Sequence, residues 1–246
     1  MKRFENKTIL ITGGSSGIGL AGAKRLQEEG ANVIITGKTE SHLAEARKIL
    51  GESATIISLD ADDENSNEKF YQKIEKIGLL DGLWLNAAYA TGGNIEDLDK
   101  EAILKMFSVN VVTPMLQMGR LSPLLKDGSA VLVTSSTAVY EGLAGVSLYS
   151  ATKAAVLSAA RSWASELAPR KIRVNSLVPG PIKSNLRSGL DPKMKEELEN
   201  HLAETLLLKR IGEPEEAAAV ALFLLSDEAS FVTGTSYLVD GGYLKM

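Results

Sequence analysis

The sequence predicts an α/β protein: one doubly wound domain over residues 1–246, with a parallel sheet of about seven strands flanked by helices on both faces. Three observations carry this. Short β-branched apolar runs alternate with helix-forming stretches from end to end, as a chain of βαβ units requires. A glycine cluster, Gly13-Gly14-Ser15-Ser16-Gly17-Ile18-Gly19, separates the first strand from the first helix. Polar residues, among them Asp60, Asn86 and Ser136, follow directly on strand-like runs.

The first strand is residues 8–12, Thr-Ile-Leu-Ile-Thr, of the kind buried on both faces of a parallel sheet. Beyond the glycines, residues 20–29 read as an amphipathic helix closed by Gly30. Glycines permit a tight turn and a close approach of backbone to a ligand, while the new helix offers unpaired N–H groups and a positive dipole end. Strand, glycine turn and helix in that order point to phosphate binding at Gly13, Ser15, Ser16, Gly17, Ile18 and Gly19. The next strand, residues 32–36, ends in Gly37-Lys38-Thr39, where the adenosine ribose of a dinucleotide held by that turn would lie. No acid stands there to grip both ribose hydroxyls, and Lys38 offers a cation to a 2′-phosphate. This favours NADP(H), with NAD(H) possible.

Helix 42–50 leads to strand 55–59 and then to Asp60-Ala61-Asp62-Asp63. Asp60, with Ala61, sits at a strand tip that could reach an adenine, while Asp62 or Asp63 suits the N-cap of a helix running to Lys76. Strand 82–85 ends in Asn86-Ala87-Ala88-Tyr89, small residues against which a flat ligand, or a packed core corner, could lie. A long helical region, 97–125, is interrupted at Pro114; its Met106, Met115 and Met118 read as core or subunit-interface packing. Asn110 within it needs hydrogen-bond partners if buried. Strand 130–134 delivers Ser135 and Ser136 to the carboxyl end of the sheet, where ligands of open α/β sheets bind.

In the next helix, 149–168, Tyr149 and Lys153 stand four residues apart and therefore on one face. An ammonium beside a phenol favours the ionised form and draws its pKa down from about 10, which would make Tyr149 a usable acid or base. Strand 173–177 runs into Pro179-Gly180-Pro181-Ile182, and the charged stretch 183–209 reads as a solvated helix or as a lid over a bound substrate. Helix 213–225 and strand 236–239 complete the chain before Asp240-Gly241-Gly242.

Composition narrows the chemistry. The chain has no cysteine, and its two histidines, His42 and His201, have no metal-ligating spacing, so no metal site is expected. A net charge of −4 lacks the basic bias of a nucleic-acid binder. No apolar run approaches the ~18 residues of a membrane span, and Met1 to Lys7 carry no signal-peptide pattern, so a cytoplasmic protein acting on a small molecule is expected.

Taken together the residues resemble the short-chain dehydrogenase/reductase family over essentially the whole chain. Thr12-Gly13-Gly14-Ser15-Ser16-Gly17-Ile18-Gly19 is similar to its cofactor turn, Asp60 to its adenine-side acid, and Tyr149 to Lys153 to its Tyr-x-x-x-Lys. Ser136 stands at the family's offset ahead of that tyrosine, Asn110 matches its helix asparagine, and Pro179-Gly180-Pro181-Ile182 matches the segment beside the nicotinamide. The resemblance implies a Rossmann-type fold and hydride transfer between a nicotinamide and a carbonyl or secondary alcohol. Tyr149 would be the proton donor or acceptor, and Ser136 would hydrogen-bond the same substrate oxygen. Lys153 would favour the tyrosinate and, with Tyr149, touch the cofactor, while Asn110 would hold a water linking Lys153 to solvent. Asn86, Ala87, Gly180, Ile182 and Ser184 would line the cofactor. NADPH-dependent ketone reduction by a homotetramer or dimer is the leading expectation; a non-catalytic dinucleotide-binding regulator or scaffold is the alternative. The chain departs from the family at Leu85-Asn86-Ala87-Ala88, where Asn-Asn-Ala-Gly is usual, and at Ser184, where threonine is common.

Overall fold

The computed structural model describes residues 2–184 and 191–245. Strands β1 (Thr8–Thr12), β2 (Asn32–Gly37), β3 (Thr55–Ser58), β4 (Leu80–Leu85), β5 (Leu125–Thr134), β6 (Arg173–Pro179) and β7 (Ser236–Val239) form one sheet in the order β3-β2-β1-β4-β5-β6-β7. Every pairing is parallel. The expected seven-stranded, doubly wound, Rossmann-type architecture is therefore observed. The chain starts at the centre of the sheet and reverses direction between β1 and β4, which opens a crevice at their carboxyl ends.

The period of two along each strand sorts the core. Ile9 and Ile11 face the cluster built with Ala23 and Leu26 of α1 (Gly17–Glu28), Ala46 of α2 (Glu40–Leu50) and Ala221 of α9 (Pro214–Leu225). Leu10 faces the other, built with Phe70 of α3 (Glu64–Ile77), Met118 of α5 (Thr113–Leu121) and Val156 and Ala160 of α7 (Ser147–Leu167). Both faces of the sheet are covered, which is why its strands read as continuous apolar runs.

Several boundaries differ from the sequence reading for physical reasons. Helix α1 begins at Gly17 rather than residue 20, because Gly17 and Gly19 lie in its first turn despite their poor helix propensity. Strand β5 begins at Leu125, which pairs with Leu80 across a register shift; the polar residues behind it resemble a turn. The break in the long helical region is a π-turn at Ser108–Val112 between α4 (Lys100–Phe107) and α5, whereas Pro114 sits in the first turn of α5, where its missing N–H is not needed. Asp63 caps α3 through the Asn65 N–H, and Asp62 instead accepts the Ser108 hydroxyl at 2.6 Å. Met106 and Met118 are buried while Met115 is exposed. Of the expected lid, 183–209, residues 185–190 lie outside the described residues; α8 (Pro192–Thr205) makes up most of the remainder.

Candidate active site

At the crevice between β1 and β4 the glycine turn is fixed by hydrogen bonds from three strands. Gly13 donates its N–H to Thr36 Oγ1 at 3.2 Å, and Gly14 to the Thr36 carbonyl at 2.9 Å. Thr12 Oγ1 accepts the N–H groups of Asn86 (3.1 Å) and Ala87 (3.3 Å). Asn86 Nδ2 in turn donates to the Gly13 carbonyl at 3.1 Å. Behind it, Trp84 Nε1 donates to Thr134 Oγ1 (2.8 Å), whose own proton goes to Asn86 Oδ1 (3.0 Å). A chain of hydrogen bonds thus runs from the buried indole through β5 to the turn.

This turn fits the pyrophosphate of a dinucleotide. Gly13 has φ +65, and a Cβ there would fall 2.7 Å from Ala87 Cα; a Cβ on Gly19 would fall 2.5 Å from the Gly13 carbonyl oxygen. Both are sites where only backbone can pass. Ser16, at the N-cap of α1, makes no side-chain cap, which leaves first-turn N–H groups for an anionic ligand. Ser15 is buried, and Ser184 approaches Gly17 from the far side, its Cβ 3.9 Å from the place of a Gly17 Cβ. The family departures are accommodated: Leu85 joins the core beside Leu83 and Val133, and Ala88 is not among the described non-glycine residues with positive φ.

The two residues expected around the adenosine contact each other. Lys38, just past β2, places Nζ 2.7 Å from Asp60 Oδ2, just past β3. The Lys38 ammonium holds the Asp60 carboxyl below its usual range against the opposing effect of burial. Asp60 Oδ1 accepts the Asp62 N–H at 3.2 Å, and the Ala61 carbonyl accepts Thr113 Oγ1 at 2.9 Å.

On the other side of the crevice, Ser136, Tyr149, Lys153 and Asn110 converge from three elements: the end of β5, α7 and the π-turn. Ser136 follows β5 and Tyr149 lies in the first turn of α7, its phenol hydrogen-bonded to Ser136. Burial pushes the phenol up to about 12, the Ser136 bond opposing and the charge of Glu141 adding to the rise. Lys153 is buried, with Nζ 5.8 Å from the Tyr149 ring centroid and 2.9 Å from the Thr134 carbonyl oxygen to which it donates. Burial pushes its pKa down to about 8. The lowered phenol pKa expected from the spacing is therefore not found: desolvation dominates, and the ammonium is turned towards β5. Asn110, in the π-turn, accepts the Tyr89 N–H (2.8 Å) and donates to the Tyr89 carbonyl (2.7 Å) and Thr152 Oγ1 (3.0 Å). Gly180 and Ile182 follow β6: the Gly180 N–H bonds the Val239 carbonyl at 3.0 Å, and Ile182 bridges Gly212.

The sequence reading missed Trp84, Thr134, Tyr89 and Thr152 as supports of this site. A signal existed for one of them, since a tryptophan inside an apolar strand needs an acceptor for its N–H.

The comparisons agree with this geometry. A family model described as enoyl-(acyl carrier protein) reductase matches residues 13–244. Dehydrogenase/reductase SDR family member 4 of Homo sapiens is 35% identical over 244 residues, 96% of this chain and 87% of that protein. A crystal structure of a short-chain dehydrogenase/reductase, glucose/ribitol dehydrogenase, from Brucella melitensis superposes with a TM-score of 0.90 at 32% identity, covering 98% of each chain. BdcA in complex with NADPH is similar at a TM-score of 0.86 and 31% identity, over 97% of this chain and 95% of that one. The chain belongs to the short-chain dehydrogenase/reductase family and is an oxidoreductase of that NAD(P)H-binding type. Among the described residues no helix is long and apolar enough to cross a membrane.

Proposed function

We propose that the enzyme reduces ketones with NADPH, Tyr149 giving the proton. The observation that carries this is the half-buried Tyr149 phenol, bonded to Ser136 and kept protonated by a pKa near 12. A phenol in that state is an acid, suited to a developing alkoxide. The bound nicotinamide would supply the hydride; the chain's residues orient the carbonyl and handle the proton. Ser136 Oγ donates to the carbonyl oxygen and holds it against Tyr149. Lys153 stands behind the phenol, able to return a proton at a pKa near 8. Both Nδ2 hydrogens of Asn110 are engaged, so a relay water would have to donate to an oxygen of Asn110 rather than accept from its amide.

Gly13, Ser15, Ser16, Gly17, Ile18, Gly19, Asn86 and Ala87 are the proposed pyrophosphate and ribose side, and Gly180, Ile182 and Ser184 the nicotinamide side. Lys38 favours the 2′-phosphate of NADPH, and Asp60 with Ala61 the adenine. A dimer or tetramer is proposed because Val112, Met115 and Leu116 of the π-turn and α5, and Phe231 near β7, are exposed large apolar side chains. Helix α8, with Met194 and Leu198 exposed, is the proposed cover of the substrate. The test is oxidation of NADPH and of NADH across a panel of ketones. A kcat/KM at least ~10-fold higher with NADPH is expected, since ~1.4 kcal/mol of phosphate recognition gives that ratio; equal use rejects the preference, and no ketone turnover rejects the reaction.

A further inference from the structure

We propose that Lys38 and Asp60 form an exchange latch that couples recognition of a ribose 2′-phosphate to recognition of the adenine amino group. The inference rests on the cofactor reading above and goes beyond it, since that reading treats the two residues as separate contacts.

The sheet itself builds the pair. Strands β2 and β3 run parallel in register, Gly37 opposite Ser58, and the Leu59 N–H donates to the Gly37 carbonyl at 2.8 Å. Their tips are thereby held side by side, and Lys38, the first residue beyond β2, meets Asp60, the second beyond β3, at 2.7 Å. Of the two Asp60 oxygens, Oδ1 already receives the Asp62 N–H. Oδ2 is the oxygen left for a ligand's amino donor, and the Lys38 ammonium sits on it.

Each partner is therefore satisfied by the other until an adenosine arrives. The side chains are 65% and 37% exposed, so the pair is solvated and readily exchanged. A 2′-phosphate, carrying more charge than one carboxylate, draws Lys38 away and releases Oδ2 to the exocyclic amine of adenine. Lys105 adds a further positive charge near Asp60, so the carboxylate stays ionised once Lys38 has left. Without the 2′-phosphate, Lys38 stays in place and the amine has to compete with it. The 2′-phosphate thus strengthens adenine recognition, and by linkage adenine recognition strengthens binding of the 2′-phosphate.

Binding of nucleotide fragments to the full chain, measured by calorimetry, tests this without turnover. The probes are 5′-ADP, 5′-IDP, which lacks the amino group, and 2′,5′-ADP. The preference for ADP over IDP reads the 6-position edge of the purine, where IDP has an oxo group and a protonated N1 in place of the amine, because the phosphates of the two are alike. Lys38→Met is expected to raise that preference about two- to five-fold, the scale of an exposed ion pair, while weakening 2′,5′-ADP by ~10-fold or more. Asp60→Ala is expected to bring the preference close to one and to abolish the effect of Lys38→Met in the double variant. A normal loss of 2′,5′-ADP affinity with an unchanged ADP-to-IDP preference in Lys38→Met overturns the latch alone. An unchanged 2′,5′-ADP affinity overturns the NADP reading and the coupling with it.

Discussion

Lys153 stands beside Tyr149, Nζ 5.8 Å from the ring centroid, yet its hydrogen bond goes to the Thr134 carbonyl at 2.9 Å. Lys153 is buried and Tyr149 half-buried, and desolvation moves them in opposite directions: the phenol up to about 12, the ammonium down to about 8. The free protein at neutral pH therefore holds a protonated phenol and an ammonium that burial destabilises.

That destabilisation is measurable. From the ordinary lysine value of 10.5 down to about 8, the unfolded chain binds the proton more tightly than the folded one. Stability should therefore rise with pH from about 8 towards 10.5, and the penalty is fully present below about 8. Lys153→Met removes the charge while keeping the length. It should be more stable than wild type at pH 7, by about 1–3 kcal/mol after the lost Thr134 bond is subtracted, and should lose Lys153's contribution to the rise. Urea unfolding at pH 7 and 9.5 checks both.

Glu141, half-buried at the end of α6 (Ala138–Glu141) and bonded to Thr137, raises the Tyr149 pKa through its charge. Glu141→Gln should move the alkaline limb of the pH–rate profile to lower pH, by up to about one unit. No movement would mean that the limb belongs to another group.

Asn110 clamps the backbone of Tyr89 at both its N–H and its carbonyl and ties it to Thr152 of α7. Asn110→Ala leaves these buried groups short of partners and should cost about 1–3 kcal/mol of stability. It should also lower kcat more than it raises KM for the ketone, because the π-turn beside Lys153 loses its anchor. Thermal unfolding and steady-state kinetics test the two effects separately.

Trp84 touches no proposed ligand but begins the hydrogen-bond chain through Thr134 and Asn86 to the Gly13 carbonyl. Trp84→Phe keeps an aromatic ring and removes the donor. NADPH affinity should fall several-fold, about 1 kcal/mol for one neutral hydrogen bond, with kcat at saturating cofactor little changed. Fluorescence is altered by the substitution itself, so calorimetry is the appropriate readout.

The fold was legible because the central sheet is buried on both faces: an apolar run such as Thr8–Thr12 has no other stable home, and its bounds agree with the sequence reading. Positions of the site residues at strand ends followed from the same pattern. Their mutual contacts did not. Nothing in the spacing of Lys38 and Asp60 says that parallel register brings them to 2.7 Å. Nor does a run of apolar residues around Asn110 announce a π-turn whose asparagine pairs with the Tyr89 backbone. The direction of the Tyr149 shift was misjudged because helix spacing shows a neighbour but not the depth of burial, and burial is the larger effect here.

The most direct test of the proposed chemistry is Tyr149→Phe, assayed for NADPH-dependent ketone reduction and, by calorimetry, for NADPH binding. Removing only the transferable proton should reduce kcat by at least ~100-fold, the lower range for a positioned general acid, with the NADPH dissociation constant within about three-fold of wild type, under 1 kcal/mol. Near-normal turnover with intact NADPH binding would contradict the assignment of Tyr149 as the acid.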